Sequence, residues 1–148
     1  MMRINRRTDY AIRVLLALAK QPQGTRLSTQ FIQKTMLIPR AFLLRIIADL
    51  SKAQLIETYP GPRGGLQLAR SPSQINLRIV WEALEGPLVI SECVASPEEC
   101  PLSEGCPVNS HWAHIQRMLI EELENTTLDK LAAEAHHLDS LVLYKDDK

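Results

Sequence analysis

The stretch Leu55-Ile56-Glu57-Thr58-Tyr59-Pro60-Gly61-Pro62-Arg63-Gly64-Gly65-Leu66-Gln67-Leu68-Ala69 reads as two short strands, 55–59 and 66–69, joined by a glycine and proline turn. Just before it, Leu43, Ile46, Ile47 and Leu50 recur at helical spacing. Pro39 suits the first position of that helix, where its missing N–H costs nothing. Upstream again, Ser28 stands where an N-cap satisfies the free amides of a short helix running to about Met36. Ala11, Val14, Leu15 and Leu18 form the buried stripe of a first helix from Asp9, ended by Gln21-Pro22-Gln23-Gly24.

Three helices and then a hairpin is the order of a winged helix-turn-helix. Its third helix enters the DNA major groove, and its hairpin lies on adjacent backbone or minor groove. With the apolar stripe inward, Arg40, Ala41, Leu44 and Arg45 face outward near the start of the third helix. Arginine can bond a guanine edge through two donors, and Ala41 and Leu44 can touch a thymine methyl. Arg63 can bond phosphate, and Gly64-Gly65 lets the backbone come close to another backbone. Ser28 and Thr29 open a helix whose free amides can receive phosphate, and Arg3, Arg6 and Arg7 add positive charge.

The 148 residues carry no net charge, but the balance is uneven along the chain. Residues 1–72 hold 12 Lys and Arg against 3 Asp and Glu, a net of +9, whereas 73–148 hold 5 against 14, a net of −9. A basic half beside an acidic half suggests a polyanion-binding segment joined to something with a different task. No apolar run is long enough to cross a bilayer, and no leader-like core follows the opening MMRINRRTDY, so a cytoplasmic protein is expected, with no membrane partner. Beyond the hairpin, Ile75 to Leu84 reads as a helix with Ile75, Ile79 and Val80 inward, stopped by Gly86-Pro87. A longer helix runs from Pro107 to about Glu124, with Trp112, Ile115, Leu119 and Leu123 along one side. A last short one spans Thr127 to Ala135, and Lys145-Asp146-Asp147-Lys148 reads as a frayed end.

Cys93, Cys100 and Cys106 are the chain's only cysteines, spaced C-x6-C-x5-C on a loop. An odd number in a chain read as intracellular argues against a disulfide framework, and clustered thiolates suit a metal or cluster that needs several soft ligands. Zinc would need one further donor and lacks its usual paired C-x2-C spacing; an iron-sulfur cluster needs a fourth ligand too. Cluster-free oxidisable thiols are the alternative. An enzyme is not expected, for the chain offers no nucleophile and base pairing, no phosphate-cradling loop and no H-E-x-x-H. The rivals from other classes are a small metalloprotein or electron carrier and a protein-binding winged helix.

Three features together resemble the family of dimeric winged-helix regulators that includes the iron-sulfur-assembly regulator IscR and the nitric-oxide-sensing repressor NsrR. They are Thr8-Asp9-Tyr10-Ala11-Ile12-Arg13, the wing Gly61-Pro62-Arg63-Gly64-Gly65-Leu66, and the cysteine loop followed by Pro107 and Trp112. The resemblance spans nearly the whole chain. It implies a mainly α fold with a small β-hairpin wing, divided into a winged-helix DNA-binding domain, 1–72, and a cysteine-loop sensor and dimerisation region, 73–148. It implies a homodimer, joined by the helix after the cysteines, that binds a palindromic operator on double-stranded DNA, most simply as a repressor. Cys93, Cys100 and Cys106 would hold a [2Fe-2S] or [4Fe-4S] cluster.

Departures from the family pattern limit what carries over. The first cysteine gap is one residue longer than usual, and Asn109 stands where IscR-like proteins have a histidine ligand, with His111 and His114 out of register. Asp9 matches the aspartate that serves NsrR-like proteins as fourth ligand from the partner subunit; His111 is the alternative. Pro60 replaces an arginine common in the wing, a role that falls to Arg63.

Overall fold

Residues 3–135 are described by the structure, a computed structural model; the charged end Lys145-Asp146-Asp147-Lys148 lies outside them. Helix α1, Arg6–Ala19, starts at Asn5, whose side chain accepts the Arg7 N–H at 2.9 Å. It buries Ala11, Val14, Leu15, Ala17 and Leu18. Helix α2, Thr29–Met36, is capped by Ser28, whose hydroxyl accepts the Phe31 N–H at 3.1 Å. Helix α3, Arg40–Lys52, follows Pro39 rather than beginning with it. Pro39 is extended at ψ 137° and offers its carbonyl to the amides of Phe42 and Leu43, both at 3.0 Å.

Strands β1, Ile56–Tyr59, and β2, Gly65–Leu68, pair antiparallel with Ile56 opposite Leu68 and Tyr59 opposite Gly65. This register puts Ile56, Leu66 and Leu68 on the core face and Glu57, Tyr59 and Gln67 on the outer one. Leu27, just before α2, exchanges two backbone hydrogen bonds with Leu66 and acts as a short third strand. That pairing supplies a reason for Gly65, and the turn itself one for Gly64, that the sequence did not suggest. A Cβ on Gly65, at φ +139°, would stand 2.5 Å from the Leu27 carbonyl oxygen, and one on Gly64 would stand 2.0 Å from that of Tyr59. The close backbone approach is therefore made inside the protein.

The helix read from Ile75 begins later. Pro72–Gln74 make a 3-10 turn, Ile75 is buried but extended at φ −114° and ψ 114°, and α4 spans Leu77–Glu85, capped by Asn76 through the Ile79 N–H. Ile75 instead accepts the Leu128 N–H at 2.9 Å, joining the start of α4 to the last described helix. An apolar residue ahead of a helical stripe fits either arrangement until its backbone partner is known. The cysteine loop is partly regular, with α5 at Glu92–Ala95 and a 3-10 turn at Pro97–Glu99. Helices α6, Pro107–Asn125, and α7, Leu128–Glu134, complete the order.

One core crosses the division at Pro72. Ala11, Val14 and Leu15 of α1 lie in the same cluster as Ile32, Leu43, Ile46 and Leu50, and also as Ile75, Val80, Leu84 and Leu128. Arg7 ties the layers together: its guanidinium donates to the Leu84 carbonyl at 2.6 Å and pairs with Asp49 of α3 at 3.5 Å. Helix α6 stands apart from this core. It buries no residue, and Trp112, Ile115 and Leu119 remain 42%, 38% and 37% exposed, an apolar edge without cover in the described chain. Arg78 of α4 ties it down by pairing with Glu124 as well as Glu82.

Candidate nucleic-acid interface and cysteine segment

The stripe that packs α3 also aims its opposite side. Leu43, Ile46 and Leu50 are buried, so Arg40, Ala41, Leu44 and Arg45 are all exposed in the first two turns, as the sequence predicts. Between α2 and α3 the chain turns at Leu37, which adopts the left-handed conformation at φ 54° and is 68% exposed. Phe42 packs edge-on against Tyr10, with ring centres 5.3 Å apart, and fixes the start of α3 to α1.

The remaining candidates divide. Arg3 and Arg63 are exposed and form no ion pair among the described residues. Arg7 is turned inward to Leu84 and Asp49, so its guanidinium serves the packing of α1, α3 and α4. Ser28 spends its hydroxyl on the α2 cap and Thr29 is half-buried. Gly64 and Gly65 shape the wing and its contact with Leu27. Sequence reading passed over Arg26, whose guanidinium carbon lies 3.5 Å from the centre of the Tyr59 ring. The two residues are far apart in the chain, and no local spacing pointed to the contact.

Each cysteine belongs to a different small element. Cys93 lies in α5, with its sulfur 2.9 Å from the Ser91 hydroxyl and its carbonyl held by Asn109; Cys100 ends the 3-10 turn; Cys106 is the N-cap of α6. All three are free thiols of intermediate exposure. Among the described residues, no three His, Cys, Asp or Glu side chains stand close enough to hold a metal ion, so the expected cluster of ligands is not preassembled in the chain. The physical reason is that three separate turns fix the three backbones. By donor type the residues fit an iron-sulfur cluster, and they would have to be gathered on binding. Asp9 is occupied elsewhere, in a 3.0 Å pair with Arg13, while His111 is exposed at the start of α6.

A helix-turn-helix presenting two arginines beside a glycine-hinged wing defines the class of winged-helix transcriptional regulators. A family model described as Rrf2, an iron-dependent transcriptional regulator, matches residues 4–134. The chain belongs to the Rrf2 family, which is one of regulators rather than enzymes. It is 30% identical over 145 residues to the HTH-type transcriptional regulator NsrR of Shouchella clausii, covering 97% of each chain. It is 33% identical over 132 residues to the protein aau3 of Rhizobium meliloti, covering 88% of this chain and 84% of that one. Among solved structures, CymR, the global cysteine regulator of B. subtilis, superposes with a TM-score of 0.73 at 24% identity, over 90% of this chain and 98% of that one. IscR of T. potens also gives 0.73, at 23% identity, over 92% and 90%. No helix of the described residues is long and apolar enough to cross a membrane.

Proposed function

We propose that this chain is a cytoplasmic, homodimeric repressor that reads a palindromic operator with α3 and the wing, and whose grip on DNA is set by an iron-sulfur cluster on the cysteine segment. The observation that carries the DNA reading is the outward face of α3, where Arg40, Ala41, Leu44 and Arg45 are exposed together while the alternate stripe holds the core. Arg45 reads a base edge and Arg63 a phosphate. The uncovered edge of Trp112, Ile115 and Leu119 on α6 supports pairing with a second copy through that helix. Two copies would then set the spacing of two reading helices.

Cys93, Cys100 and Cys106 would hold the cluster, with Asp9 of the partner subunit or His111 as the fourth donor. The group supplies a centre that responds to redox state, nitric oxide or the supply of clusters. The chain's part is to gather three cysteine sulfurs now carried on three separate turns. Because Asn109 and Gln116 connect this segment to α6, gathering them bears on the dimer helix. A cluster-free thiol switch is the second reading, favoured by the separation of the three free, half-exposed thiols.

Anaerobic purification, with iron, sulfide and absorption spectra measured for the native chain and for Asp9→Ala and His111→Ala, separates these readings. The cluster reading expects iron and sulfide in the native chain and a more labile cluster in Asp9→Ala only. Loss confined to His111→Ala moves the fourth ligand, and colourless, iron-free protein leaves the thiol switch. On DNA, Arg45→Ala should lose about 1–3 kcal/mol of discrimination between operator and random duplex. Equal losses on both would make Arg45 a phosphate contact.

A further inference from the structure

The segment that enters α2 is stitched to the wing. Leu27 and Leu66 exchange N–H to O bonds of 2.9 and 2.8 Å, and one residue earlier the Arg26 guanidinium carbon stands 3.5 Å from the Tyr59 ring centre. That separation is stacking contact. The ring beneath it is itself fixed, because Tyr59 donates its hydroxyl proton to Glu57 at 2.6 Å and Gln67, opposite Glu57 in the register, reaches the same carboxylate.

A stacked arginine of this kind either fastens the wing or is presented by it. Fastening is already provided by the paired backbone of Leu27 and Leu66, which leaves little for a weak exposed cation–π contact to add. Arg26 is exposed and forms no ion pair among the described residues, although Glu57 lies on the same outer face. A guanidinium has five N–H donors, and a ring beneath it restrains its rotamers while leaving most of those donors open. Arg26 therefore stands restrained, charged and unneutralised, on the hairpin whose tip carries Arg63 and two residues before the Ser28 cap of α2.

We propose that Arg26, stacked on Tyr59, is a phosphate-binding residue of the DNA interface, and that Tyr59 is the positioning residue that holds it. The inference rests on the reading of this chain as a duplex-DNA binder. Arg26 adds no sequence information; it sets how the wing sits on the backbone. Restraint by the ring lowers the rotamer entropy lost on docking.

The test is fluorescence anisotropy of a labelled random-sequence duplex against the full chain over a range of salt, with thermal midpoints recorded alongside. Arg26→Gln should weaken binding about three- to tenfold at moderate salt and reduce the slope of log affinity against log salt by about 1. Arg26→Lys should restore the slope but not all of the affinity. Tyr59→Leu should weaken binding less, with the native slope, because the cation still reaches phosphate from a looser start. Thermal midpoints should match the native one throughout. Native slope in Arg26→Gln, or equal loss of thermal midpoint in Arg26→Gln and Tyr59→Leu without a slope change, would make the pair a clasp and overturn the proposal. A native chain that binds no duplex would instead overturn the DNA reading, and the proposal with it.

Discussion

Asn109, in the first turn of α6, donates a 2.6 Å hydrogen bond from Nδ2 to the carbonyl of Cys93. Seven residues on, Gln116 accepts the Ile90 N–H at 3.2 Å. The cysteine segment is thus latched to α6 at two points, both of them part-buried. Removing the first by Asn109→Ala should cost about 1 kcal/mol. Amide hydrogen exchange should speed up across 90–106 while α1 keeps its protection. Unchanged exchange in the segment would show that the bond is no latch.

Leu128 is fully buried although it lies more than fifty residues beyond Pro72, and it packs in one cluster with Leu15 and Leu43. Leu128→Ala should therefore lower the stability of the whole chain by about 2–5 kcal/mol, through lost burial and the cavity left behind. Denaturant unfolding followed by a probe in the first half and one in the second should shift together. A shift seen only by the second probe would mean that the halves fold apart.

Leu37 holds a left-handed backbone that costs a leucine roughly 1–2 kcal/mol and a glycine very little. Its side chain is 68% exposed, so little packing is lost on its removal. Leu37→Gly should gain up to about 1 kcal/mol after the added freedom of the unfolded chain is discounted. The thermal midpoint should rise by a few degrees. A fall would show that the exposed leucine is held by contacts that outweigh the strain.

Tyr59 is raised above its ordinary value near 10, chiefly because its hydroxyl donates to Glu57; the positive charge of Arg26 opposes this. A raised value in the folded chain means that the bond stabilises the wing below pH 10 and is lost as pH climbs through the higher folded value. Glu57→Gln should bring the Tyr59 phenolate absorbance, isolated by difference against Tyr59→Phe, to lower pH. An unmoved titration would contradict the dominance of Glu57.

Local chemistry carried most of what the sequence made legible. Ser28 capped α2, the stripe Leu43, Ile46 and Leu50 fixed which side of α3 faces out, and the glycine turn placed the wing. These depend on neighbours within a few residues. The features that the sequence did not show depend on distant partners. Ile75 is drawn out of a helix by Leu128, Arg7 is turned from solvent by Leu84 and Asp49, and Gly65 makes room for Leu27. Arg26 on Tyr59 carries no sequence signature at all. The cysteines were legible as a set, but spacing alone did not show that three separate turns would hold them.

Control of DNA binding by the cysteine segment is tested most directly by one affinity comparison. A duplex selected by the native chain from a random pool is titrated with anaerobic protein reconstituted with iron and sulfide, and again with the same protein after chelation. A variant with Cys93, Cys100 and Cys106 all changed to alanine serves as control. The native chain should differ between the two states by about tenfold or more, the scale of an ordinary coupling between two sites, and the variant should show a single affinity. Equal affinities of the native chain in both states would contradict the claim.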